Sequence, residues 1–194
     1  MRFLAILLVA LPGFAFAAGS GGGGGSSSSS SGNDSNTAGG TSFGAPKTTK
    51  TTTECTGNQV WDGAKCVNSY APEINDLQRI EAIRELSYNN RLEDAQDILN
   101  SLENKRSDIA LTYWGFTHRK LGNLELAGMF YQDAIEANPD NILARSYMGQ
   151  GFVEQGRTDE ALVQWKEIKA RGGTDTWAEL SLREALRTGV TYNY

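Results

Sequence analysis

Beyond Leu77 the chain alternates stretches whose apolar residues return every third or fourth position with short polar breaks centred on glycine or Asn-Pro. That spacing is helical, because residues i, i+3 and i+4 share one face of a 3.6-residue turn. It predicts helices over 108–120, 124–137, 142–154 and 159–170, set out as two pairs. Gly122 and Gly156 fall where the first helix of each pair must end, and glycine accepts the left-handed conformation that closes a helix. Connections this short make the two helices of a pair antiparallel neighbours. Asn138-Pro139-Asp140 stops one pair, and Asp140 or Asn141 can cap the helix that follows.

The pattern also recurs. Gly115 returns as Gly149, His118 as Phe152, Gly122 as Gly156, Ala127 as Ala161, Tyr131 as Trp165, Ala134 as Ile168 and Pro139 as Gly173, each after 34 residues. The small residues Gly115, Gly149, Ala127 and Ala161 are expected to let the helices of one pair approach, with Tyr131 and Trp165 supplying the bulk. A degenerate earlier unit spans 76–107 at an offset of about 32 residues, aligning Ile83 with Gly115, Leu86 with His118, Asn90 with Gly122, Ala95 with Ala127, Leu99 with Tyr131 and Leu102 with Ala134. After Gly172-Gly173, residues 175–187 read as a capping helix with Trp177, Leu180, Ala185 and Leu186 turned inward.

Trp114-Gly115, Gly122, Ala127, Tyr131, Ala134 and Pro139 at this period resemble the tetratricopeptide repeat, and the resemblance covers residues 73–189, about three fifths of the chain. It implies an all-α solenoid of three helix-turn-helix repeats, about 76–107, 108–141 and 142–175, closed by the helix at 175–187. It also implies a concave wall, lined by the first helix of each pair, that binds a peptide segment. Carried over by position, that wall includes Arg84, Tyr88, Thr112, Phe116, Arg119, Lys120, Ser146, Gln150 and Glu154. Arg84, Arg119 and Lys120 make part of it cationic while Tyr88 and Phe116 offer apolar footholds, which suits a segment with acidic and aromatic residues. The same charges also fit an ordinary solvated helix face. The Lys and Asn pattern with which some family members clamp a terminal carboxylate is not met, because Thr112 and Phe116 stand where it would be needed.

The first half of the chain is of another kind. Residues 1–17 carry Arg2, the apolar run Phe3 to Leu11, a Pro12-Gly13 break and Ala15-Phe16-Ala17, which is the layout of a secretory signal. Nine apolar residues fall short of the ~20 a spanning helix requires, so no integral membrane span is expected and the chain should be exported, to the periplasm or beyond. Residues 18–54 are almost all Gly, Ser and Thr, too poor in apolar surface to offset the entropy of ordering, and are expected to form a disordered linker. In 55–70, Cys55 and Cys66 enclose an Asp62-Gly63 pair between strand-forming flanks, predicting a tight hairpin. In an oxidising compartment the two cysteines are most simply a disulfide, holding a local clasp with no core of its own.

Charge and chemistry narrow the function. The 194 residues hold 18 Lys and Arg against 23 Asp and Glu, a formal charge of -5, with no basic block suited to a phosphate backbone, so nucleic acid is not an expected partner. One histidine and two cysteines cannot furnish a four-coordinate zinc site, and neither metal nor cofactor is expected. A nucleophile needs a base and a group to orient it, yet His118 stands in the register of a packing ring, and Glu93-Asp94, Glu136 and Asp159-Glu160 sit in amphipathic helices where acids face water. No catalytic residue is therefore expected. The favoured function is a non-enzymatic scaffold for protein-protein interaction in the bacterial envelope. The alternative is a cell-wall or glycan binder in which Trp61 and Tyr70 of the hairpin touch sugar and the helices are its support. Three repeats are near the minimum for independent stability, so self-association is also open.

Overall fold

Residues 52–191 are described by a computed structural model, and the expected signal at 1–17 and most of the linker at 18–54 lie outside the described residues. The described chain is mostly helical. A 3-10 turn at Thr52–Glu54 and a two-stranded antiparallel sheet, β1 (Gln59–Trp61) and β2 (Cys66–Asn68), precede seven helices. These are α1 (Asp76–Tyr88), α2 (Leu92–Leu99), α3 (Asp108–Lys120), α4 (Leu124–Ala137), α5 (Ile142–Glu154), α6 (Thr158–Ala170) and α7 (Trp177–Thr188).

The sheet pairs Val60 with Val67 and Trp61 with Cys66. Its turn is built by Asp62, whose Oδ1 accepts the Ala64 and Lys65 amides at 2.8 and 2.9 Å, while Gly63 takes a φ of +109°. Those amide bonds hold the Asp62 carboxyl below its usual range. Cys55 and Cys66 are joined, with Cα atoms 5.6 Å apart. The clasp has no separate core, and what its valines join is that of the helices: Val60 and Val67 are buried in the same apolar cluster. Polar ties add to that packing. Arg79 of α1 donates through Nε to the Ser69 carbonyl at 2.8 Å, and Arg91 donates to the Thr53 carbonyl at 3.1 Å. Thr52 and Cys55 are buried, so the last three residues of the expected linker, 52–54, belong to the folded body.

One turn recurs through the helices. Asn90, Gly122 and Gly156 all have left-handed φ, of +58°, +84° and +71°, at the same register of three successive pairs. After each, an amide returns to the last turn of the preceding helix: Arg91 to the Leu86 carbonyl at 2.9 Å, Asn123 to His118 at 2.9 Å and Arg157 to Phe152 at 2.8 Å. This wide backbone bond satisfies carbonyls that a helix end leaves exposed, and it needs the left-handed residue to close. The starts are equally specified. Asn75, Ser107, Asn141 and Thr176 each accept the amide of the third residue of the helix they cap.

Helices α1, α3, α5 and α7 lie side by side, with α2, α4 and α6 packed behind them, and each of α3, α5 and α7 touches both members of the pair before it. The buried apolar residues therefore form one cluster from Val60 to Leu182 rather than one per pair. Each fully buried leucine or isoleucine in it contributes on the order of 2 kcal/mol. The Asn138-Pro139-Asp140 break is tied down as well: the Pro139 carbonyl accepts from Arg145 at 2.9 Å and Arg171 at 2.6 Å, and Asn138 and Asn141 both donate to Asp108 Oδ2.

Two packing expectations change. Gly115 does face Tyr131, since a Cβ built there would lie 2.5 Å from the ring, but the same atom on Gly149 would meet Leu182 of α7 at 2.5 Å, not Trp165. Trp165 is half-buried and donates from Nε1 to the buried Glu179 at 2.7 Å. The buried face of α7 is Ala178, Ser181, Leu182 and Ala185, and Leu180 is exposed.

Candidate functional site

The layer formed by α1, α3, α5 and α7 carries all nine residues assigned to the concave wall, except that their side chains differ widely in access. Along it runs a ladder of rings. Tyr88 meets Phe116 at 5.6 Å between centroids, Phe116 meets Tyr147 at 4.9 Å, and Tyr147 meets Trp177 at 6.0 Å, while the Tyr88 and Tyr147 hydroxyls bond at 2.5 Å. Edge and tilted contacts of this kind add about 0.5 to 1.5 kcal/mol each to the apolar gain of burial. Tyr88 and Phe116, expected as apolar footholds for a ligand, are buried in the protein's own packing.

The polar members divide the same way. Thr112 is buried, donates to the Asp108 carbonyl at 2.7 Å and accepts from Asn141 at 3.0 Å. Ser146 is buried and donates to the Ala178 carbonyl at 2.7 Å, with Gln150 beside it. These groups join successive pairs. Among the nine, Arg84, Lys120 and Glu154 reach solvent. Arg84 is paired with Glu81 one turn earlier on α1.

The end of α3 holds two adjacent cations, Arg119 and Lys120. Arg119 is buried, with its guanidinium 5.6 Å from the Phe116 centroid and 5.9 Å from that of Tyr147, and it donates from Nη1 to Glu154 Oε1 at 2.6 Å. Burial of a guanidinium is tolerable only where a counter-charge and donors' partners accompany it. The same Glu154 oxygen accepts the Thr191 hydroxyl at 2.6 Å, so the segment after α7 comes back to the end of α5. Lys120, half-buried with Nζ 5.8 Å from the Phe116 ring, is pulled down to about 8, first by desolvation and then by Arg119 beside it. The Glu154 carboxylate opposes that repulsion, and a second carboxylate brought to Lys120 would act in the same sense.

Behind Arg119, between α4 and α5, lies a shallow depression of about 10 Å³ lined by Leu124, Gly128, Met148, Gly151, Phe152 and Gln155. That is room for about one water molecule and far below the roughly 300 to 1,000 Å³ usual for small-molecule sites. Tyr131 forms its floor with Arg119, and burial pushes the phenol upward.

His118 packs in a three-ring cluster, 5.8 Å from Trp114 and 5.5 Å from Phe130, which are 5.8 Å from each other, and desolvation lowers its pKa. A histidine packed in this way lacks the orienting carboxylate of a general base. Among the described residues no group of three or more His, Cys, Asp and Glu is placed to hold a metal ion, and no helix is long and apolar enough to cross a membrane. On the hairpin, Trp61 is half-buried opposite Cys66, and Tyr70 is exposed.

Sequence reasoning named Trp177 as an inward residue of the capping helix but missed Tyr147 and Thr191. The first had a signal, since Tyr113 and Tyr147 are one repeat apart. Thr191 had none, because its partner lies 37 positions back in the chain. Comparisons with protein-family models, with curated proteins and with solved structures find no match to this chain.

Proposed function

We propose that the protein is a non-enzymatic scaffold of tetratricopeptide type, exported to the periplasm or cell envelope, that holds an acidic segment of a partner protein at the cationic edge of its inner helix layer. The repeated turn bond after Asn90, Gly122 and Gly156 supports a solenoid of equivalent pairs. The Cys55–Cys66 disulfide supports an oxidising destination. The observation that carries the binding role is the placing of two adjacent cations, Arg119 and Lys120, at the end of α3, with Lys120 half-buried and its Nζ 5.8 Å from the Phe116 ring, a concentration of positive charge that a ligand carboxylate complements. Because the aromatic ladder is buried, the segment rests across the rim at Arg84 and Lys120 instead of entering between the helices.

Titration of a fluorescein-labelled Glu-Glu-Phe-Glu-Glu peptide by fluorescence anisotropy tests this. Arg84→Glu with Lys120→Glu should weaken binding at least about tenfold at low salt, with native far-UV circular dichroism retained. Bound carboxylate favours charged Lys120, so wild-type affinity should be flat below about pH 7 and decline as pH rises through the residue's value of about 8. Equal affinity of the double variant and wild type would overturn the assignment. Exposed Tyr70 next to the clasp favours a second possibility, glycan binding. Loss of retention on purified cell-wall sacculi in Trp61→Ala with Tyr70→Ala, with peptide binding absent, is the outcome that would select it.

A further inference from the structure

We infer that Glu154 acts as an internal stand-in for the ligand's carboxylate, latched onto Arg119 by Thr191, so that the site regulates its own access by exchange of one carboxylate for another. The inference rests on the binding role proposed above.

Three separate elements converge on one atom. Glu154 Oε1 takes a 2.6 Å bond from Arg119 at the end of α3 and a second 2.6 Å bond from Thr191 after α7, while Glu154 itself is the last residue of α5. Charge-assisted bonds of this length are the strong class. Arg119 has no exposed side-chain surface, whereas the Glu154 side chain is about a quarter exposed. The cation is therefore fixed and its counter-ion is at the solvent boundary. Because the Glu154 side chain already reaches solvent at the end of α5, a change of rotamer turns it outward. If an incoming carboxylate arrives as Glu154 leaves, Arg119 is never left buried without a counter-charge, and the penalty for that state is avoided.

Thr191 sets the balance. Gly189 ends α7 with φ +73°, and this reversal delivers the chain two residues later to Glu154. Its hydroxyl bond holds the carboxylate in the inward position and opposes exchange. Apparent affinity then falls by the fraction of molecules whose site is open, and weakening the latch raises that fraction.

The same labelled Glu-Glu-Phe-Glu-Glu peptide and full-length protein supply the test. Thr191→Val, which changes no charge, should tighten binding about threefold, and Glu154→Gln about tenfold. Glu184→Gln is the control, an equal change of charge on an exposed α7 carboxylate paired with Arg187, and should shift affinity less than about twofold. If Thr191→Val and Glu154→Gln bind no more tightly than wild type while Arg84→Glu with Lys120→Glu still weakens binding, the latch is wrong and the groove assignment stands. If wild type and both latch variants, each folded by circular dichroism, fail to bind millimolar peptide, both fall.

Discussion

Gly115 and Gly149 occupy the same place in two successive helix pairs, yet they accommodate different neighbours. Gly115 makes room for Tyr131 of its own pair, and Gly149 makes room for Leu182 of the helix that follows. The bulky residue aligned with Tyr131 is Trp165, which is released from the contact and bonds Glu179 instead. The first pair solves the matter a third way, with Ile83 where the glycine stands and Leu99 where the tyrosine stands, both fully buried. A repeat thus conserves the space between helices more faithfully than it conserves who fills it.

Substitutions at these positions sharpen the comparison. Gly115→Ala should have the largest effect, about 3 kcal/mol by urea denaturation, because the new carbon meets a buried ring hemmed in by Tyr147. Adding Tyr131→Leu, which copies the leucine of the first pair, should recover most of that loss. No recovery would mean that the ring is needed for more than its volume. Trp165→Phe should cost about 1 to 2 kcal/mol, since the buried Glu179 carboxylate loses its 2.7 Å donor and keeps Arg183 only at 3.5 Å. Gly149→Ala should cost about 1 kcal/mol, as the leucine methyls it meets can change rotamer. A loss equal to that of Gly115→Ala would erase the distinction between the two glycines.

The smallest effect concerns the first pair and depends on pH. Asp76 accepts the Glu103 and Asn104 amides and an Arg79 bond, and these hold its carboxyl below the ordinary 3.8 against the opposing effect of burial. A lowered folded value stabilises above the unfolded value and is lost as pH falls through the folded one. Between about pH 5 and 2 the urea midpoint of wild type should therefore drop more steeply than that of Asp76→Asn. Parallel curves would show that the carboxylate does not tie α1 to the 103–104 turn.

The helices were legible because their signals are local. The boundaries of α3, α4 and α5 follow from apolar spacing and from residues that turn the chain, and even the degenerate unit placed Asn90 in the left-handed position aligned with Gly122. What fills a helix interface is not local. The depth of the wall at Phe116, Thr112 and Gln150 depends on rings and hydroxyls that arrive from α1, α5 and α7 together. Position within a repeat says which helix carries a residue, while access depends on the sizes of its neighbours. The hairpin shows the same limit: its Asp-Gly turn and paired cysteines are written in a few adjacent residues, but the docking of Val60 and Val67 onto the helices is not.

The clasp also has a mechanical consequence. A pull arriving through the chain ahead of Thr52 reaches the molecule at a segment anchored by Arg91 and closed by a covalent bond to β2. The load then passes along the crosslink into Ser69, whose carbonyl is held by Arg79 from the side of α1, before any strain is felt at Asn75, where that helix begins. A load applied at Thr52 thus meets this bracing before it can peel α1 away end first.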